Sequence, residues 1–251
     1  MEFYDIVWNG FAGVEFEFMG KPTKVIKPNC TPNGKWVFKT EYFEAFPDTQ
    51  IEFLRRGWHL VFNQNDNRWA EDYDLDRKVK LAEFIAESFG LSEKFVPIGM
   101  SCGGLYAVKL AALIPDKVMA LYLDAPVMNF LSCPFGFGMK TNPNVTEEEY
   151  TRLTGRTRTE MLSYREHPID KMHILLENDI PIVLVAGDSD DVVPYEENGA
   201  LLVRFYEHNS GRMCVHIKEG CNHHPHGLEN YATVVDEIEK FIEINEESKN
   251  G

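Results

Sequence analysis

The chain has 251 residues, enough for one α/β domain with a sizeable core or for two small ones, and no linker-like stretch divides it. Its 25 Lys and Arg stand against 40 Asp and Glu, a formal charge of −15 that repels phosphate backbones and anionic bilayers, so neither nucleic acid nor membrane is an expected partner. No apolar run is long enough to cross a bilayer, and five cysteines without framework spacing, with no visible signal peptide, predict a reduced, cytoplasmic protein.

In chain order, Val14–Phe18 alternates apolar and acidic residues, Met19-Gly20 marks a turn, and Thr23–Lys27 resumes an extended pattern, which predicts an antiparallel hairpin. Trp36–Phe38 and Gly57–Phe62, separated by a helical stretch holding Ile51, Phe53 and Leu54, read as strands buried on two faces. Leu75 to Phe89 carries apolar residues at helical spacing, with Gly90 as its stop. Lys94–Ile98 is a short strand, and Leu105–Leu113 a helix ended by Pro115. Val118–Leu123, Ile180–Ala186 and Met213–Ile217 are further strands, and the alternation with helices predicts a mostly parallel sheet. The interval from about 127 to 178 breaks this rhythm. Its Phe130, Phe135, Phe137 and Met139 suit the apolar wall of a small cap over a pocket, or alternatively a packed loop.

The most informative word is Gly99-Met100-Ser101-Cys102-Gly103. It lies between a strand and a helix, the setting in which a sharp turn lifts a serine hydroxyl clear of the backbone as a nucleophile. A serine also needs a base, and a carboxylate to hold that base in the useful tautomer. Asp188, Asp190 and Asp191 follow a buried strand, where functional loops gather. Asp190 is the first choice and Asp191 the second, the competing reading being an acidic turn that caps the next helix. After the last strand comes Asn222-His223-His224-Pro225-His226-Gly227. His223 is the expected base, since His224 is held extended before Pro225, and His224 and His226 fall to the pocket lining or a hydrogen-bond shell. The order Ser101, Asp190, His223 is that of α/β-hydrolases.

With these residues in place, the chain resembles a single-domain α/β-hydrolase over nearly its whole length. Trp36 to Phe46, Leu123-Asp124-Ala125-Pro126-Val127 and Asn222 to Leu228 are similar to words in bacterial hydrolases of the esterase-like or prolyl-oligopeptidase-like kind. The resemblance implies one domain over residues 1–251. It would have a mostly parallel sheet with an N-terminal antiparallel hairpin, helices on both faces and a small cap insertion at about 127–178. It also implies a backbone oxyanion hole. Where many members carry His-Gly, this chain has Lys39-Thr40-Glu41, so the expected donors are the N–H of Cys102 and that of Thr40 or Glu41. Glu41 is also read as a possible recognition carboxylate, against a plain salt bridge. The Cys102 thiol is expected to point into the core rather than act as nucleophile.

The activity expected is hydrolysis of small carboxylic esters through an acyl-enzyme, without a cofactor. A serine peptidase or amidase on the same residues and a non-catalytic ligand-binding protein are the competing readings. A metal site built from Cys221, His223, His224, His226 and nearby aspartates is set aside because Pro225 stiffens the segment, so no metal is expected.

Overall fold

The computed structural model describes residues 1–138 and 146–250. Two tight reversals start the sheet. Asn9 and Gly10 (φ 47° and 82°) join β1 (Phe3–Trp8) to β2 (Phe11–Phe18), and Met19 and Gly20 (φ 48° and 79°) join β2 to β3 (Lys21–Ile26). Paired left-handed residues match the twist of antiparallel strands, and Asn-Gly is a strong signal of such a turn. The second hairpin is the one expected from sequence. Strand β1 was not anticipated, because most of its residues are exposed and its apolar residues do not alternate.

The remaining elements are β4 (Trp36–Lys39), α1 (Asp48–Arg55), β5 (His59–Asn63), α2 (Asp72–Phe89), β6 (Val96–Met100), α3 (Gly103–Leu113) and β7 (Leu121–Asp124). They continue with α4 (Glu147–Thr154), α5 (Arg158–Ser163), α6 (Met172–Glu177), β8 (Ile182–Gly187), α7 (Gly199–His208), β9 (Met213–Lys218) and α8 (Ala232–Asn250). Helix α2 is closed by Gly90 in the left-handed conformation, as the sequence predicts. Val118 reaches the sheet only through a single bridge to Phe95, so the strand predicted from that residue begins three positions later.

The nine strands among the described residues form one sheet in the order β1-β2-β3-β5-β4-β6-β7-β8-β9. Pairing is antiparallel from β1 through β3 to β5 and parallel from β5 onward. This is the α/β-hydrolase architecture: a mostly parallel sheet with an antiparallel N-terminal edge. Strands covered on both faces are largely apolar, and β4, β6, β7 and β8 are buried at every position, with Lys39 and Asp124 as the charged residues that end β4 and β7. One face packs Trp36, Phe38 and Phe95 against Leu81 and Ile85 of α2 and Leu105 and Leu110 of α3. The other packs Val37, Ile98 and Val183 against Phe53 of α1 and Val234, Val235 and Ile238 of α8.

Candidate active site

The site lies at the carboxyl ends of the parallel strands, where loops diverge and leave a crevice. Strand β6 runs directly into Ser101, which adopts φ 52°, a conformation a non-glycine residue takes only when its surroundings enforce it. The enforcement is visible in the backbone. The Ser101 N–H donates to the Asp124 carbonyl (2.9 Å), and the Ser101 carbonyl accepts from the N–H of Gly104 and of Val127 (both 2.9 Å). A side chain at 104 would lie 2.5 Å from Pro126 Cβ, so only glycine lets the start of α3 press this closely on the loop after β7.

The predicted residues converge. Ser101 Oγ lies 3.0 Å from His223 Nε2, and His223 Nδ1 lies 2.7 Å from Asp190 Oδ2. Asp190 is 3% exposed, and its other oxygen accepts from the N–H groups of Val192 (2.9 Å) and Val193 (2.8 Å), which hold the carboxylate in place. Asp191, the second choice, is exposed on the pocket rim instead. The two loops that supply Asp190 and His223 are bound to each other. Asp188 Oδ1 accepts from the Gly220 N–H (2.8 Å), and a side chain at Gly187 would lie 2.2 Å from the Cys221 carbonyl.

Of the oxyanion candidates, Thr40 is excluded as a donor. Its N–H is spent on the Ile98 carbonyl (3.1 Å), which continues the pairing of β4 with β6, and its hydroxyl bridges the Ile98 and Gly103 carbonyls (2.9 and 2.8 Å). The N–H groups of Cys102 and Glu41 have no acceptor among the described residues, and Glu41 N would lie 3.6 Å from a Cβ placed on Gly103. The Glu41 carboxylate turns away from the pocket. It accepts from Asn65 and from the Tyr42 N–H, and burial raises its pKa. The Cys102 side chain is buried in the core, and burial pushes its thiol up to about 11, which suppresses the thiolate.

A cavity of about 490 Å³ opens over Ser101, lined by Tyr42, Phe46, Arg68, Asn222 and the three histidines among others. His224 and His226 both line this cavity. His224 is exposed and stacks on Phe46 (5.5 Å, 12°), whereas His226 is buried and bonds through Nδ1 to Asp124 Oδ1 (2.8 Å).

The expected aromatic wall is elsewhere. Phe130 and Phe135 are buried against Trp69, Tyr150 and Tyr164, filling the interior beneath α4 and α5, and Phe137 is half exposed under Arg158 (4.8 Å). Met139 lies outside the described residues. No described residue between 127 and 178 lines the cavity, and this segment touches the wall through Glu149, whose carboxylate grips Arg68 by two hydrogen bonds (2.9 Å at Nε).

Sequence reasoning missed Tyr42, Phe46, Arg68 and Asp124. Tyr42 and Phe46 also have left-handed backbones (φ 53° and 46°). Asp124 could have been found, since it ends β7 at the functional edge of the sheet.

The family model described as the prolyl oligopeptidase family matches residues 61–245. Among solved structures, a puromycin-hydrolyzing peptidase from Mycobacterium tuberculosis superposes with a TM-score of 0.67 at 15% identity, over 91% of this chain and 38% of its own. The chain thus spans well under half of that protein. Est1E from Butyrivibrio proteoclasticus (TM-score 0.61, 15% identity) matches over 95% of this chain and 99% of its own. An S-formylglutathione hydrolase from Agrobacterium tumefaciens (0.63, 13%) matches over 97% and 98%. At these identities the likenesses establish the fold.

Proposed function

The chain belongs to the prolyl oligopeptidase family, whose model covers residues 61–245, and from that premise we propose that it is a serine hydrolase of small carboxylic esters. The observation that carries this reading is the continuous relay from Ser101 Oγ through His223 to Asp190 at 3.0 and 2.7 Å, opening on a cavity of about 490 Å³.

In the reaction, Ser101 Oγ attacks the ester carbonyl as its proton passes to His223 Nε2. Asp190 keeps the Nδ1 proton in place and stabilises the imidazolium that forms. The oxyanion is received by the N–H groups of Cys102 and Glu41, the pair left without protein acceptors; one such donor contributes about 3 kcal/mol. His223 then protonates the departing alcohol, and water attacks the acyl-serine by the same relay in reverse to release the acid and restore Ser101.

Ester rather than amide cleavage is favoured by the end-to-end match to a hydrolase of S-formylglutathione, a thioester whose leaving group departs easily. A peptidase on the same residues is the second reading, favoured by the family assignment. A panel of p-nitrophenyl, acetyl-sugar and feruloyl esters beside aminoacyl anilides separates the two. Turnover of esters, abolished in Ser101→Ala, is the expected result; cleavage of anilides faster than of matched esters would establish the peptidase instead.

A further inference from the structure

We propose that His223, His224 and His226 form a binding site for a divalent transition-metal ion of the zinc type, and that filling it switches off hydrolysis by claiming His223 Nε2. The inhibitory half rests on the serine-hydrolase reading above; the metal site stands without it. One ligand nitrogen from each of the three rings lies within 4.8 Å of the others, although the sequence argued against such a site. Nitrogens sharing one zinc ion at its usual bond length of ~2.1 Å sit roughly 3.4 Å apart, so modest side-chain rotation closes the set. His224, exposed and in contact with Phe46, His223 and His226 through its ring alone, is the member freest to rotate.

A second observation points to a ligand. Metal-binding histidines characteristically donate the ring N–H that does not bind metal to a carboxylate, which fixes the tautomer and the direction of the lone pair. Here that arrangement occurs twice, side by side: His223 Nδ1 on Asp190 (2.7 Å) and His226 Nδ1 on Asp124 (2.8 Å). With both Nδ1 atoms occupied, each ring keeps Nε2 as its available lone pair, and the ring centroids are 4.8 Å apart. The two buried aspartates lie behind the rings, on the Nδ1 side, and leave the Nε2 side for the ion. An all-imidazole set selects zinc, copper, nickel or cobalt over magnesium or calcium.

The consequence is competition. Coordination at His223 Nε2 consumes the lone pair that accepts the Ser101 proton, breaking the 3.0 Å contact, so the bound metal and the working relay exclude each other.

The test uses the full chain, stripped with chelator. Cobalt(II) titrated into the Ser101→Ala protein is expected to bind one ion per chain with visible absorption bands of a nitrogen-ligated site. His224→Gln should weaken that binding by about tenfold or more, on the scale of disturbing a metal site. Zinc(II) is expected to inhibit ester turnover of the unmodified protein, reversibly with chelator, and the half-inhibiting concentration should rise by a similar factor in His224→Gln, measured against its own metal-free rate. Absence of cobalt binding at millimolar metal, or binding and inhibition undiminished in His224→Gln, would overturn the proposal. Cobalt binding lost in His224→Gln, in a protein that turns over no ester, would support the site while removing the hydrolase reading.

Discussion

Two histidine–aspartate pairs stand side by side in this molecule. His223–Asp190 and His226–Asp124 have almost the same length, 2.7 and 2.8 Å, and both carboxylates are nearly inaccessible to water. In each, the other carboxylate oxygen is held by further donors: the N–H groups of Val192 and Val193 for Asp190, and the Gly227 N–H and Tyr122 hydroxyl for Asp124. Yet only His223 faces a hydroxyl. On the proposed function, a carboxylate-oriented imidazole becomes a general base where the fold presents it with a proton to take, and that presentation would come from the turn at Ser101 rather than from the pair itself. The second pair is placed to brace: Asp124 ties the end of β7 to His226 and Gly227 in the loop that carries His223.

This distinction predicts that the two aspartates respond differently to substitution. Asp190→Asn should reduce kcat by about 10⁴, the scale on which losing the orienting carboxylate acts, while leaving the thermal midpoint close to that of the unmodified protein. Asp124→Ala should instead lower stability by about 3 kcal/mol in a denaturant titration, because it strips partners from a buried histidine and hydroxyl. Equal losses of kcat from both changes would erase the difference between the pairs.

A pH-dependent effect concerns a buried lysine behind the site. Lys78 is fully buried, donates to the Asn63 carbonyl (3.0 Å) and faces Glu41 and Asp74, with Arg77 opposing; burial lowers its pKa to about 7. The sign follows from proton counting. Between pH 7 and the ordinary lysine value the unfolded chain binds the extra proton, so this residue's contribution to stability rises with pH across that window. Compared with Lys78→Met, the unmodified protein should gain up to about 1.4 kcal/mol per pH unit between pH 7 and 10. Parallel stability curves for the two proteins would show that Lys78 keeps its proton. The smallest effect is expected at Cys102, which serves through its backbone. Cys102→Ala should cost far less in kcat than the ~3 kcal/mol of a lost oxyanion donor. A loss of that size would mean the thiol itself takes part.

Much of this arrangement could be read from the residues. Ser101, Asp190 and His223 each follow a strand recognisable by its apolar run, so chain order and sheet-edge position identified them together. What escaped depends on how loops fold back. Nothing local to Arg68 signals that Glu149, 81 positions away, will hold it at the pocket wall. Phe130 and Phe135 show the converse: aromatic content predicts burial but not direction, and these rings turned into the interior while Tyr42 and Phe46 took the pocket. Thr40 and Glu41 were inseparable in sequence, and only the extension of β4 pairing onto Ile98 distinguishes them.

The central claim, that Ser101 is the nucleophile served by His223 and not a passive turn residue, is most directly tested by intact-mass analysis after exposure to a fluorophosphonate. The account predicts one adduct per chain, mapped by peptide sequencing to Ser101 and absent from Ser101→Ala. An unlabelled native protein, or an adduct that persists in Ser101→Ala, would contradict it.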